Sequence, residues 1–176
     1  MNGNSHFVFG VSLGTAIAMN MNVIGEVLPN LNASAETTTL FVLGGLVGGI
    51  LPDIDNPTSY MGKLSAPVST MFGTLGRMTG KTGSNHRGIM HDPTIYLIGL
   101  VLSYLYLPSL VGLFVGCLSH IFLDMFNPSG VPFLFSVKRL RLGKILSGSK
   151  TGVWFTWLNV FLVLIVGIVA KVFVFA

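Results

Sequence analysis

Long apolar runs separated by short polar breaks make up most of this chain. Five of them, at residues 7–23, 38–51, 93–107, 109–126 and 153–175, read as membrane-crossing helices. Such a helix needs about 20 mostly apolar residues, fewer where its end opens into protein-lined water. The second and third runs are short, which suggests a polar cavity at one end. The second also carries Gly44, Gly45, Gly48 and Gly49; small residues four apart let neighbouring helices approach closely. A further stretch is patterned without being continuous. Met61, Leu64, Val68, Met71, Leu75 and Met78 recur at steps of three and four, the period of one helix face. This predicts an amphipathic helix, lying on the inner leaflet or packed at the bundle mouth, with Ser65 as its cap and Pro67 in its first turn. Asn127-Pro128-Ser129-Gly130 stops the fourth run. Residues 131–135 are then too short to cross and are expected at the membrane interface. The pattern as a whole predicts an all-α, polytopic membrane helix bundle. It comprises about five transmembrane helices and one amphipathic interfacial helix, in a single domain over residues 1–176.

Composition supports this architecture. Hydrophobic residues make up 51% of the chain and charged residues 9%, against roughly 25% charged in soluble domains. A water-facing globular enzyme, a disordered chain and a coiled coil are excluded. The single Cys117 excludes an internal disulfide framework and any cysteine-based zinc cluster. The net charge of +4 is a topology signal rather than a nucleic-acid site. Of the ten basic residues, nine (Lys63, Arg77, Lys81, Arg87, Lys138, Arg139, Arg141, Lys144 and Lys150) fall in two loops on one side of the bundle, and only Lys171 lies elsewhere. The loop between the first two runs holds Glu26 and Glu36 and no basic residue. The positive-inside rule then puts the N-terminus in the cytoplasm and the C-terminus outside, in the cell's inner (plasma) membrane. A cleaved signal peptide is disfavoured because there is no basic n-region. The basic run from Lys138 to Lys144 serves orientation and attraction to anionic lipids, or holds a substrate phosphate.

Ionisable residues inside membrane proteins are costly and usually functional, so the placement of the few present is informative. His6 opens the first run, and Asp53 and Asp55 follow the second. His86, His91 and Asp92 precede the third, and His120 and Asp124 end the fourth. The topology brings all of them to the cytoplasmic end. Imidazole and carboxylate together are ligands for zinc and related divalent ions. His120 and Asp124 are four apart and share a helix face. Asp53 and Asp55 would project to one side of an extended segment. Each motif alone has an ordinary reading: a polar interface histidine, a turn Asp-x-Asp, an internal His–Asp hydrogen bond. Their convergence carries the metal reading, with His6, Asp53, Asp55, His86, His91, His120 and Asp124 as candidate ligands. Asp92 before Pro93 is a ready helix cap and a weaker ligand. Zinc fits the ligand types, with manganese or iron possible if carboxylates dominate, and this number of groups suits one to three ions. Arg87 next to His86 suits bidentate recognition of a phosphate, or a pair with Asp53 or Asp55.

His6, Leu51-Pro52-Asp53-Ile54-Asp55, His86-Arg87-Gly88-Ile89-Met90-His91-Asp92, and Ser119-His120-Ile121-Phe122-Leu123-Asp124 followed by Asn127-Pro128-Ser129-Gly130-Val131 together carry a resemblance. Over roughly residues 1–140 the chain resembles the YdjM-like, LexA-regulated family of membrane-bound metal-dependent hydrolases. That family commonly has Ser where this chain has Asp92. More distantly, the pattern is similar to the zinc phospholipase C and P1 nuclease group. There, His and Asp from several helices hold a zinc cluster that cleaves phosphate esters. The resemblance implies hydrolysis of a phosphate-containing substrate, with membrane lipids as surroundings and source. Asp53 or Asp55 would be the general base and Arg87 the clamp. A metal or proton transporter is the alternative, although transporters place such groups near the midplane. A non-catalytic scaffold stabilised by metal is the other.

The orientation is testable with cysteines introduced singly at Ser84 and Ser34 in a Cys117→Ser background. In intact cells an impermeant maleimide should label position 34 and leave position 84 untouched; labelling of position 84 from outside would reverse the topology.

Overall fold

The computed structural model describes residues 3–78, 89–135, 138–146 and 148–174. Helices dominate it. They are α1 (Gly3–Met19), α2 (Met21–Val27), α3 (Ala35–Gly48), α4 (Tyr60–Leu64), α5 (Ala66–Met78), α6 (Pro93–Tyr106), α7 (Val111–Met125) and α8 (Lys150–Val174). Two short strands, β1 (Val131–Pro132) and β2 (Arg139–Leu140), pair antiparallel between α7 and α8. The result is an all-α membrane bundle, as the apolar pattern predicts. Three helical stretches, Ala35–Asp55, Pro108–Met125 and Lys150–Phe173, are long and apolar enough to cross a membrane, and the bent pair α1–α2 gives a fourth. The remaining expected span forms α6. Its 14 residues rise only about 21 Å at 1.5 Å per residue, against a hydrocarbon core of about 30 Å.

α1, α3 and α7 pack against one another, while α8 packs on α1 and α6 on α7. The glycines of α3 make this possible. A Cβ on Gly44 would lie 2.5 Å from the backbone of Gly112 on α7, and one on Gly116 would lie 2.8 Å from the Gly44 carbonyl. On the other face, a Cβ on Gly14 would lie 2.6 Å from the Phe41 carbonyl. Backbone therefore meets backbone on both sides of α3. In lipid, where no hydrophobic force drives helices together, such close approach supplies the van der Waals contact.

The expected first span is broken. α1 and α2 meet at 71°, with buried Asn20 at the junction donating to the carbonyls of Ala16 and, on α8, Gly167, both at 2.9 Å. Asn side chains compete in this way with the helical ladder. The expected amphipathic helix is also split in two. Pro67 has no N–H to offer the Lys63 carbonyl, and the chain resets at Ser65. That residue is not the cap assigned from sequence: its hydroxyl donates back to the Met61 carbonyl at 2.7 Å. Ser59 caps α4 instead, accepting from the Gly62 N–H at 2.9 Å. α5 turns buried Ser69 inward and packs on the 3-10 turn Leu51–Asp55. Tyr60, Leu64, Val68 and Met71 stay exposed, Tyr60 and Leu64 by 75% and 73%. These four apolar side chains thus face away from the protein, whereas Met61 is half-buried. Residues 131–135, expected at the membrane interface, begin a short hairpin after Gly130, whose φ is +60°.

Gly116→Ala tests the close approach of α3 and α7. Its methyl group would meet backbone, which cannot swing aside, so a loss of at least about 1–3 kcal/mol is expected. Thermal melts in detergent should show it, while Gly3→Ala, with nothing within 4 Å of the added carbon, should melt like the parent.

Candidate metal centre

Four segments deliver ionisable side chains to one end of the bundle. α1 supplies His6 in its first turns. The turn Leu51–Asp55 that continues α3 supplies Asp53 and Asp55. The turn Ile89–His91 supplies His91 just ahead of α6. α7 supplies His120 and Asp124 one helical turn apart. His6, His91, His120 and Asp124 are buried, whereas the Asp53 side chain stays 22% exposed and forms the open side. His86 and Arg87 lie outside the described residues, so six of the seven candidate ligands can be placed, and all six meet here.

The His120 ring fixes the chemistry. Its Nδ1 lies 2.8 Å from the carbonyl oxygen of Gly49. A carbonyl only accepts, so Nδ1 carries the proton and donates it. In the neutral ring Nε2 then presents a lone pair. That atom is buried and has no hydrogen-bond partner, and it faces Asp53 Oδ1 at 3.7 Å and Asp124 Oδ2 at 3.8 Å. A lone pair opposite two carboxylates is repulsive unless a cation sits between them. His91 Nε2 completes the group, 3.5 Å from Asp53 Oδ1 and 3.6 Å from Asp124 Oδ2. Four donor atoms are thus separated by 3.5–3.8 Å along four of their six pairwise edges. Zinc bonds of about 2.0–2.1 Å imply tetrahedral edges of about 3.4 Å. Asp53, His91 and His120 thus make one group able to hold a divalent ion, and Asp124 Oδ2, near both histidines, completes a quartet around it. The carbonyl hydrogen bond to the far nitrogen of a liganding histidine is the usual outer support of such a site.

The other residues surround this quartet. His6 Nε2 lies 3.3 Å from Asp124 Oδ1, and its ring stacks on His120 with centroids 3.8 Å apart. His6, His120 and Asp124 make a second overlapping group able to hold an ion, with Asp124 spanning both through its two oxygens. Asp55 Oδ1 lies 3.7 Å from His91 Nδ1, on the far side of that ring. Burial opposes a charge on His91, but its contacts with Asp53 and Asp55 outweigh it and raise its pKa to about 9. A proton and a metal ion therefore compete for this nitrogen.

Asp92 is occupied elsewhere. Its Oδ1 caps α6 by accepting from the Thr94 N–H at 2.9 Å, and its Oδ2 accepts from the Phe135 N–H at 2.6 Å. Two supports escaped the sequence reading. One is the Gly49 carbonyl, which has no residue-type signature. The other is Tyr96, whose hydroxyl donates to the Met90 carbonyl at 2.7 Å and steadies the turn bearing His91. Its place in the first turn of α6, four residues after the capping Asp92, was its only signal.

The YdjM inner membrane protein family matches residues 1–174. The Inner membrane protein YdjM of Escherichia coli is 35% identical over 106 residues, covering 53% of this chain and 48% of its own. The protein of the same name in Shigella flexneri matches to the same extent. The chain thus spans about half the length of these curated relatives. The protein YvsG of Bacillus subtilis is 29% identical over 150 residues, covering 81% of this chain and 78% of its own. No solved structure matches, and the more distant likeness to zinc phospholipase C and P1 nuclease gains no support.

Metal analysis of the purified protein tests the centre. One or more equivalents of a divalent transition metal are expected in the parent and none in His120→Ala, Asp124→Ala; full retention in that double variant would exclude the quartet. His6→Ala should retain more metal than His120→Ala. Because binding displaces the His91 proton, apparent zinc affinity should rise with pH up to about 9.

Proposed function

Because the chain belongs to the YdjM inner membrane protein family, we propose that it is a membrane-bound, metal-dependent hydrolase. It cleaves a phosphate ester, such as a phospholipid headgroup, at the cytoplasmic face of the inner membrane. The N-terminus lies inside and the C-terminus outside. The observation that carries this reading is the buried His120 Nε2, aimed with His91 Nε2 at two carboxylates on the end of a membrane bundle. Such a donor set suits zinc, with manganese or iron as substitutes.

His91, His120, Asp53 and Asp124 would hold the ion, which would supply Lewis-acid polarisation of a phosphoryl oxygen and a lowered pKa for bound water. The protein supplies the rest. The Gly49 carbonyl holds His120 in one tautomer, and Asp55 Oδ1 faces His91 Nδ1 from behind at 3.7 Å. Asp53, on the open side, is the carboxylate best placed to take the proton of an attacking water, with Asp55 as the alternative. Arg87, four residues before His91 in sequence, clamps the phosphate through its planar fork. The outward-facing Tyr60, Leu64, Val68 and Met71 favour a substrate presented by lipid.

Turnover of phospholipid and soluble nucleotide phosphodiesters by the zinc-loaded protein tests this. Activity on the lipid, abolished by chelation, is expected. Arg87→Lys keeps the charge and loses the fork, so it should lower activity at unchanged metal content. Equal activity in Arg87→Lys and parent would argue against bidentate phosphate binding, and metal-independent or absent turnover would exclude the hydrolase.

A further inference from the structure

The depth of the metal centre in the membrane can be read from α8. This helix runs beside α1 in the same direction and in constant register. Phe9 shares a buried cluster with Val160, and a Cβ on Gly167 would lie 3.0 Å from that of Ala16, the same offset in sequence. That offset puts His6 level with Trp157. Lys150 and Lys171 bracket α8. They stand about 32 Å apart at 1.5 Å per residue, which matches a hydrocarbon core of about 30 Å. His6, with the rings and carboxylates gathered around it, therefore lies about 10 Å inward of Lys150. The lipid-facing apolar surface of α8 begins further out, at exposed Val153 and Trp154, about 5 Å before Trp157. α6 gives the same depth independently. It starts directly after His91 and Asp92 and rises about 21 Å to Tyr106, as far as Trp157 stands from Lys171. Near its far end Tyr104 packs on the cluster that holds Ala18 of α1, whose level on α8 is Val169. The shortfall of α6 is thus at the end that carries the centre.

Two irregular segments, the turns Leu51–Asp55 and Ile89–His91, therefore lie below the surface of the leaflet. Non-helical backbone is tolerated at that depth only where protein buries it or where it lines a water-filled recess. The partly exposed Asp53 marks the open side of that recess. The helices beside it carry apolar groups: α4 and α5 pack on the turn that bears Asp53 and expose Tyr60, Leu64, Val68 and Met71. A soluble phosphate ester gains nothing from such a rim and loses hydration on entering. A phospholipid already carries its glycerol phosphate at the edge of the acyl layer, and its chains suit the apolar rim. Trp154 and Trp157, exposed at this level, are the residue type that settles at the same boundary.

We propose that the centre lies inside the leaflet, at the depth of the glycerol layer. It takes the glycerol-linked phosphate of a two-chain lipid from within the membrane, not a soluble phosphate from the water. The depth follows from helix register, while the choice of ligand rests on the phosphate-ester reading of the site. Both are measured on the full-length protein in phosphatidylcholine nanodiscs, which leave both membrane faces open to water. Trp154→Phe leaves Trp157 as the only tryptophan, and Trp157→Phe leaves Trp154. Fluorescence of Trp157 should be quenched several-fold more by lipid brominated high on its acyl chains than by iodide, and more than by lipid brominated at the chain ends. Trp154 should be the more open to iodide. Free quenching of Trp157 by iodide would put the centre outside the leaflet and overturn the proposal. The ligand is read from the visible bands of the cobalt(II)-loaded protein, which shift when an oxygen joins the metal. Phosphatidic acid in the nanodisc should shift them, whereas glycerol 3-phosphate in the water at the same total concentration should not. Equal shifts with both, or none with either, would overturn the choice of ligand. Failure to take up cobalt would remove the centre and its ligand together. A shift with phosphatidic acid but no turnover of any phospholipid would remove the hydrolase and leave this inference in place.

Discussion

The centre depends on how closely α3 lies against its neighbours. Gly49 shows this most directly. A Cβ there would stand 2.8 Å from the His6 carbonyl, so a side chain would push away the first turns of α1 that carry His6. The same residue's carbonyl oxygen lies 2.8 Å from His120 Nδ1. One glycine thus admits His6 from one side and fixes the His120 tautomer from the other. The contact of Gly116 with Gly44 and Gly45, further along the same interface, holds α7 at the separation this hydrogen bond requires. Small residues that serve helix packing in lipid here also set the direction of a lone pair.

A second constraint is that polar groups buried in a membrane protein need partners. The helix hydroxyls largely meet it locally: Ser12, Thr15, Thr70, Thr74 and Thr156 donate to carbonyls of the preceding turn. The buried histidines do not. His6 Nδ1, His91 Nδ1 and His120 Nε2 have no hydrogen-bond partner among the described residues. Of these, His120 Nε2 faces the two carboxylates, whereas His91 Nδ1 faces Asp55 from the far side of its ring.

The elements and the level of the site are legible in sequence because both depend on periodic or local chemistry. Apolar runs mark α3, α6, α7 and α8, and glycines four apart mark the faces of α3. The spacing of His120 and Asp124 places them on one side of α7, and Asp92-Pro93 announces the start of α6. The positions of His6, Asp53, Asp55 and His91 at helix ends are likewise fixed by where the apolar runs stop.

What sequence leaves open is decided by contacts between segments distant in the chain. Asn20 bends α1 away from α2 by bonding to Gly167, 147 residues later. Asp92 is a cap rather than a ligand because Phe135, 43 residues on, takes its second oxygen. Asp53 joins the ligand quartet and Asp55 stands behind His91 because the 3-10 turn rotates them apart, where an extended segment would have aimed both one way. Which nitrogen of His120 faces the carboxylates rests on a main-chain oxygen with no signature in residue type. Periodicity fixes which face a residue occupies and at what depth; only the packed backbone fixes which atom meets which, and for a metal centre that atomic pairing is the chemistry.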